Sequence, residues 1–211
     1  MNSQNIAIIV FQKNLVLGRV KTRIAQQLGN EKALEIYRVL VQKTHEQLAQ
    51  LTDWDVFLYY SDFLEAVGWK PKEGKISYRL QKGEDLGAKM RVAFDEVFLE
   101  GYQKVLIIGT DCPEITAKIL NEAAAELEHH DVVFGPAMDG GYYLLGMKKT
   151  QDGLFQNIPW STDSVLEISI QYLKQNQISF QTIRTLTDID TAEDWEKYKK
   201  STLFYDERNC C

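Results

Sequence analysis

Cysteine, proline and histidine are all scarce in this sequence, with three cysteines, four prolines and three histidines in 211 residues. Cys112, Cys210 and Cys211 are odd in number and lack metal-ligand spacing, which excludes a disulfide framework and a zinc site and points to a reducing, cytoplasmic setting. The prolines stand singly, and no Pro/Gly/Ser-rich linker or internal repeat interrupts the chain. One domain is therefore expected over residues 1–200, with a flexible, unmodified tail over 201–211, because Cys210 and Cys211 match no Cys-aliphatic-aliphatic-X pattern. Long apolar runs are missing too. The first one spans only about six residues with no basic stretch before it, too short for a signal peptide or a membrane span. His45, His129 and His130 are scattered on helical or helix-end segments, so no catalytic histidine is expected. Cys112, with no histidine in its loop set, reads as a buried thiol and not a nucleophile.

Positive charge is also in short supply. With 24 Lys and Arg against 30 Asp and Glu the net charge is −6, which argues against binding a nucleic acid, since that needs an extended basic face. A local basic cluster in such a chain suits one small anion instead.

Short β-branched runs alternate with longer helical patterns. IAIIVF at 6–11, DVFLYY at 55–60, KISYRL at 75–80, KVLIIG at 104–109 and DVVFGP at 131–136 read as strands, and SFQTIRT at 179–185 as a later one. Between them, 31–51 places Leu34, Tyr37, Leu40, Val41, Leu48 and Leu51 on one helical face, and 87–100 does the same with Met90, Ala93, Phe94, Val97 and Phe98. Thr162 is expected to cap a helix carrying Leu166, Ser169 and Leu173. Thr191 is expected to open a short closing helix, with Asp194 completing a capping-box-like pair. This alternation predicts an α/β fold with a mainly parallel sheet covered by helices on both faces.

Ligands of open α/β sheets bind at the carboxyl ends of the strands, so the loops there carry the candidate chemistry. The opening loop holds Gly18, Arg19, Lys21 and Arg23; its cations suit a diphosphate or triphosphate, and a solvated basic patch is the plain alternative. KVLIIGTDCP puts Thr110 and Asp111 at a strand end, where Asp111 would be a hard ligand for Mg²⁺ or Mn²⁺ or would cap the helix beginning near Thr116. Asp139, Gly140 and Gly141 form a sharp turn, equally well explained as a hairpin. Asp188 and Asp190 are either metal-type carboxylates or capping acids ahead of Thr191, and Trp160 and Ser161 either wall a pocket or fill the core.

As an ordered set, GRVKTR, QKGEDLGAKM, IIGTDCP, FGPAMDGGYYLLG, PWST and DIDTAED resemble the GT-A-like superfamily of nucleotide-diphospho-sugar transferases. More closely, they look like a bacterial family assigned as glycosyltransferases and associated with radical-SAM, selenodomain and arsenosugar-type gene clusters. The resemblance spans about residues 5–200 and implies a Rossmann-like, mixed but mostly parallel sheet. It implies that Gly18, Arg19, Lys21 and Arg23, with Thr110, bind nucleotide phosphates, and that Gln81, Gly83 and Gly87 contact the base. It also implies that Asp111 and Asp190 bind a divalent metal, Mg²⁺ or Mn²⁺. Asp139, Gly140, Gly141 and Tyr142, with Trp160, would lie on the sugar or acceptor side. Catalytic roles then fall to Asp111, Asp139 and Lys21. The chain departs from the family in two places. Leu15, Val16 and Leu17 stand where prolines are usual, and no Asp-x-Asp is present, so a second ligand must come from elsewhere, which raises the value of Asp190.

These implications favour a metal-dependent transferase moving a sugar from a nucleotide-sugar donor to a small-molecule acceptor. A nucleotidyltransferase releasing pyrophosphate from a nucleoside triphosphate is the second reading, and a non-catalytic nucleotide-binding protein the third. Base, sugar, acceptor and oligomeric state are left open by the sequence.

Overall fold

The computed structural model describes residues 5–208. Seven strands form one sheet in the order β3-β2-β1-β4-β6-β5-β7: β1 (Ile6–Gln12), β2 (Trp54–Tyr60), β3 (Ile76–Leu80), β4 (Lys104–Ile108), β5 (Val132–Pro136), β6 (Tyr142–Met147) and β7 (Phe180–Thr182). All neighbouring pairs are parallel except those of β6, which runs antiparallel to both β4 and β5. Six helices complete the described residues: α1 (Thr22–Leu28), α2 (Asn30–Leu48), α3 (Leu86–Leu99), α4 (Ala117–His129), α5 (Val165–Gln175) and α6 (Ala192–Arg208). The expected mixed, mostly parallel α/β sheet is what the chain forms.

The two-residue period of the strands divides the core between two faces. Ile6, Ile8 and Val10 of β1 join Val56, Leu58 and Tyr60 of β2 under Leu48 of α2 and Leu120, Ala123 and Leu127 of α4. Ala7, Ile9, Phe57 and Tyr59 point the other way, against Met90, Ala93, Phe94 and Val97 of α3 and Leu173 of α5. Because both faces are covered, β1 and β4 are apolar almost throughout, as buried parallel strands are. A third cluster lies beyond the sheet: Val20 and Ile24 of the α1 region, Ile36, Tyr37 and Leu40 of α2, and Ile189 and Trp195 around the start of α6. It clamps the loop after β1 to the segment before α6, two stretches far apart in sequence.

Some local expectations are corrected. Helix α5 is preceded by Ser164, not capped by Thr162, whose hydroxyl instead donates to the Pro159 carbonyl at 2.7 Å. The orphan amide of Leu166 in its first turn already has a partner, the Gly140 carbonyl at 3.0 Å, so no side-chain cap is needed there. The closing helix α6 is long, not short, running to Arg208. It does begin with the anticipated pair: Thr191 N donates to Asp194 Oδ2 at 2.8 Å and Asp194 N to Thr191 Oγ1 at 3.2 Å. Cys210 and Cys211 lie outside the described residues.

Ile189 is the side chain that ties the pre-α6 segment into the third cluster. Ile189→Ala is expected to lower stability by about 2–5 kcal/mol, the usual cost of emptying a fully buried aliphatic site, as measured by denaturant unfolding.

Candidate functional site

From β1 the chain crosses to β2 and then β3 on one side, whereas β4 leads to β5 and β6 on the other. The carboxyl ends of adjacent β1 and β4 therefore border the crevice where such sheets take ligands. The loop of residues 13–21 leaves β1 there, and Gly109, Thr110 and Asp111 leave β4 beside it.

Three observations fix these stretches. Asn14, buried after β1, holds the β2–β3 loop: its Nδ2 donates to Phe63 O and Glu65 Oε2, both at 2.8 Å, and its Oδ1 accepts from Asp62 N at 3.0 Å and Phe63 N at 3.2 Å. The turn after it closes through Val16 N to Asn14 O at 2.8 Å and Arg19 N to Val16 O at 3.1 Å. Hydrogen bonds thus order the loop that carries Leu15, Val16 and Leu17. Tyr37 of α2 bridges the exits of both strands, its hydroxyl accepting from Lys13 N at 2.9 Å and lying 2.9 Å from Thr110 Oγ1. Ile189 N donates to Asp111 O at 2.9 Å, which brings the 188–190 segment to the end of β4.

At the meeting point stands Lys21. Its Nζ lies 2.6 Å from Asp111 Oδ1 and 3.2 Å from Asp190 Oδ1, with only 6% of its side chain exposed. Burial works against the ammonium, but Asp111 and then Asp190 outweigh it and leave the Lys21 pKa above the ordinary lysine value. The two carboxylates remain open to solvent, 47% and 42% exposed. Arg23 approaches Asp190 Oδ2 at 3.7 Å, and Arg19 pairs with Asp62 at 3.2 Å, both from exposed positions. Of the opening loop's three cations, two face outward and one inward.

Asp188, a metal-type or capping candidate alongside Asp190 in the sequence, differs from it in burial. Its Oδ1 is buried and has no hydrogen-bond partner. Burial first, then the Asp111 charge, pushes its carboxyl up to about 7; Lys21 opposes this, while Asp139 and Asp190 add to it. The Asp111, Asp139 and Asp190 charges are thus all felt at Asp188.

The other expected site residues sit as follows. Asp111 does not cap α4; Thr116 does, accepting from Ile119 N. Asp139 Oδ1 accepts from Gly141 N at 2.9 Å within the β5–β6 hairpin, and Gly140 takes the positive φ of 87° that the turn requires. Tyr142 packs on Phe134 at 5.4 Å, and Trp160 joins the same core face. Gly87 is buried so closely against Trp160 that a Cβ there would come within 2.6 Å of the indole. Gln81 donates to Tyr59 O at 3.1 Å, and Gly83 packs on the first turn of α3, which Asp85 caps. The Gln81–Gly87 turn shares the carboxyl edge of the sheet with the Lys21 cluster, and no hydrogen bond or ion pair joins the two among the described residues. Burial pushes the Cys112 thiol up and lowers the His45 imidazole to about 4.

A carboxyl whose pKa is raised on folding contributes its stability below the unfolded value, near 4, and loses it as pH climbs through the folded value. With chelator present, Asp188→Asn is therefore expected to gain stability over the parent between pH 4 and 7, by up to about 4 kcal/mol. Urea unfolding across that range checks it; parallel pH profiles for the two proteins would show that Asp188 is not buried as described.

No curated protein matches the chain. Among solved structures, a protein from Desulfovibrio desulfuricans G20 assigned to the nucleotide-diphospho-sugar transferases is 30% identical, with a TM-score of 0.78 over 89% of this chain and 83% of that one. CMP:2-keto-3-deoxy-manno-octonic acid synthetase complexed with CTP is 12% identical, with a TM-score of 0.55 over 95% and 99% of the two chains. The Mycobacterium tuberculosis H37Rv protein Rv0371c, in a complex with manganese, is 12% identical, with a TM-score of 0.51 over 91% and 96%. The latter two share the fold. The family described as "Uncharacterized protein conserved in bacteria" (DUF2064) matches residues 44–162, and with more than half of its length inside that match and a 30% identical relative over most of its length, this chain belongs to that family.

Proposed function

We propose that this chain is a nucleotide-dependent transferase that takes a glycosyl group from a nucleotide-diphospho-sugar donor to a small hydroxylated acceptor. The observation that carries this reading is the convergence of Lys21, Asp111 and Asp190 where β1 and β4 part. Exposed Arg23 reaches Asp190 at that point, and exposed Arg19 stands on the same loop, paired with Asp62; both offer planar guanidinium forks to a diphosphate. The 30% identical relative assigned to the same enzyme class supports the donor type.

The donor set suits a hard divalent cation. Asp111 and Asp190 present solvent-facing oxygens around one cation, although no three carboxylates are grouped for a metal among the described residues, and the buried Asp188 Oδ1 is left without a hydrogen bond. Asp111 and Asp190 would hold Mg²⁺ or Mn²⁺, with Asp188 in support, and the manganese complex of a fold relative favours this choice. When bound, such an ion neutralises charge on the departing diphosphate. The protein's own groups do the rest. Arg19 and Arg23 orient the phosphates, Lys21 supplies a mobile ammonium to them, and the Gln81–Gly83–Gly87 turn meets the base. Asp139, held at the hairpin tip, orients the acceptor hydroxyl and accepts its proton. Gly140, Gly141, Tyr142 and Trp160 shape that side.

Nucleotidyl transfer from a nucleoside triphosphate is the second reading, favoured by the near full-length likeness to a synthetase that binds CTP and by three cations in one loop. Product analysis separates the two. Release of nucleoside diphosphate from a sugar nucleotide is the expected outcome, and pyrophosphate release from a triphosphate would replace it with the second reading. Asp111→Asn is expected to lower turnover roughly 10²–10³-fold, the range for removing one preorganised charge-stabilising group; steady-state kinetics of the variant check it.

A further inference from the structure

Asp111 and Asp190 already share a cation, and the backbone builds its position. Lys21 adopts φ 45° and ψ 50°, a left-handed conformation that residues with a Cβ seldom take and that marks local strain. Arg19 and Arg23, two residues to either side, have no such φ, and their side chains stand in solvent. One strained residue thus turns a single ammonium of the loop inward onto the carboxylates.

That ammonium and a divalent ion compete for the same oxygens. Mg²⁺ binds carboxylate oxygens at about 2.0–2.1 Å, inside the 2.6 and 3.2 Å at which Nζ now approaches Asp111 Oδ1 and Asp190 Oδ1. Both cations on one pair of oxygens would be close neighbours with little water between them, where like charges repel strongly. One lysine faces two carboxylates here, so the pair carries more negative charge than the ammonium matches, and the buried Asp188 Oδ1 has no hydrogen-bond partner. The carboxylates are open to solvent while Lys21 is enclosed, so an ion arriving from outside reaches the oxygens directly.

On the nucleotide-dependent reading above, we propose that Lys21 is the resident cation of the metal-free site and that a divalent ion displaces its Nζ from Asp111 and Asp190, releasing the ammonium to the phosphates of the donor. Lys21 is then the element that couples the two ligands. A phosphate that captures the ammonium vacates the carboxylates for metal, and by reciprocity metal improves phosphate binding.

Lysine footprinting with acetic anhydride, read by mass spectrometry on the full-length protein, follows Lys21 directly. With chelator, Lys21 is expected to react slowly. Saturating Mn²⁺ is expected to raise its rate about tenfold, in step with Mn²⁺ occupancy counted by electron paramagnetic resonance, and added pyrophosphate is expected to restore protection. In parallel, Lys21→Met is expected to bind Mn²⁺ about tenfold more tightly than the parent when no phosphate is present. Mn²⁺ that binds, is lost in Asp111→Asn, and leaves Lys21 reactivity unchanged would overturn the displacement while the metal assignment stands. Continued reactivity with pyrophosphate would overturn transfer of the ammonium to phosphate. No Mn²⁺ binding with or without pyrophosphate would overturn the metal assignment and the proposal together.

Discussion

One ammonium enclosed beside a group of carboxylates is the interaction on which the rest of this site depends. The Asp111, Asp139 and Asp190 charges all bear on buried Asp188 at the end of the sheet, so a cation placed among them relieves like-charge repulsion. Lys21 offsets that repulsion and links the loop after β1, the end of β4 and the approach to α6 at a single atom. Because Lys21 is enclosed while its carboxylate partners stay open to solvent, the pairing adds little net stability but fixes geometry, since an ammonium stripped of those partners would be left buried and unmatched. Apolar packing supplies the stability. The cluster of Val20, Ile24, Ile36, Tyr37, Leu40, Ile189 and Trp195 holds the same segments together without charge, and the polar site rests on its edge.

The fold explains why these residues meet. Parallel strands place every following loop at one edge, and the divergence of the crossovers at β1 and β4 leaves that edge open at one place. Antiparallel β6 slots between β4 and β5, so the β5–β6 turn bearing Asp139 comes to the same edge. Its Gly140 approaches the 163–166 segment closely: a Cβ there would fall 2.0 Å from the Asp163 carbonyl. The hairpin and the loop after β1 thus come to the end of β4 from opposite sides.

Much of this was legible in the sequence because it follows from local periodicity. The alternating runs of β1, β2 and β4 and the faces of α2 and α3 appear where their apolar spacing puts them, and the Thr191–Asp194 pair forms because capping chemistry needs only three residues of separation. The insertion of β6 was not legible, since strand order is set by long-range pairing. Thr162 misled because its helix amide is satisfied by Gly140, a partner 26 positions from Leu166 that no local rule supplies. The basic loop read as three equivalent cations, whereas a left-handed backbone at Lys21 separates one from the others. Asp188 carried no stronger signal than its neighbour Asp190, and only burial distinguishes them. Tyr37 reads only as part of an apolar helical face, and Asn14 carries no local signal, because their hydrogen bonds reach residues dozens of positions away.

The account holds together only if this carboxylate–lysine centre binds nucleotide phosphates. A thermal-shift panel of nucleoside diphosphates, triphosphates and sugar nucleotides, with and without Mn²⁺ or Mg²⁺, tests that most directly, because a ligand of the native state raises the unfolding midpoint by mass action. The account predicts that at least one nucleotide stabilises the parent, more so with metal, and that Asp111→Asn loses the metal-dependent part. A parent protein whose midpoint is moved by no nucleotide under either condition would contradict it.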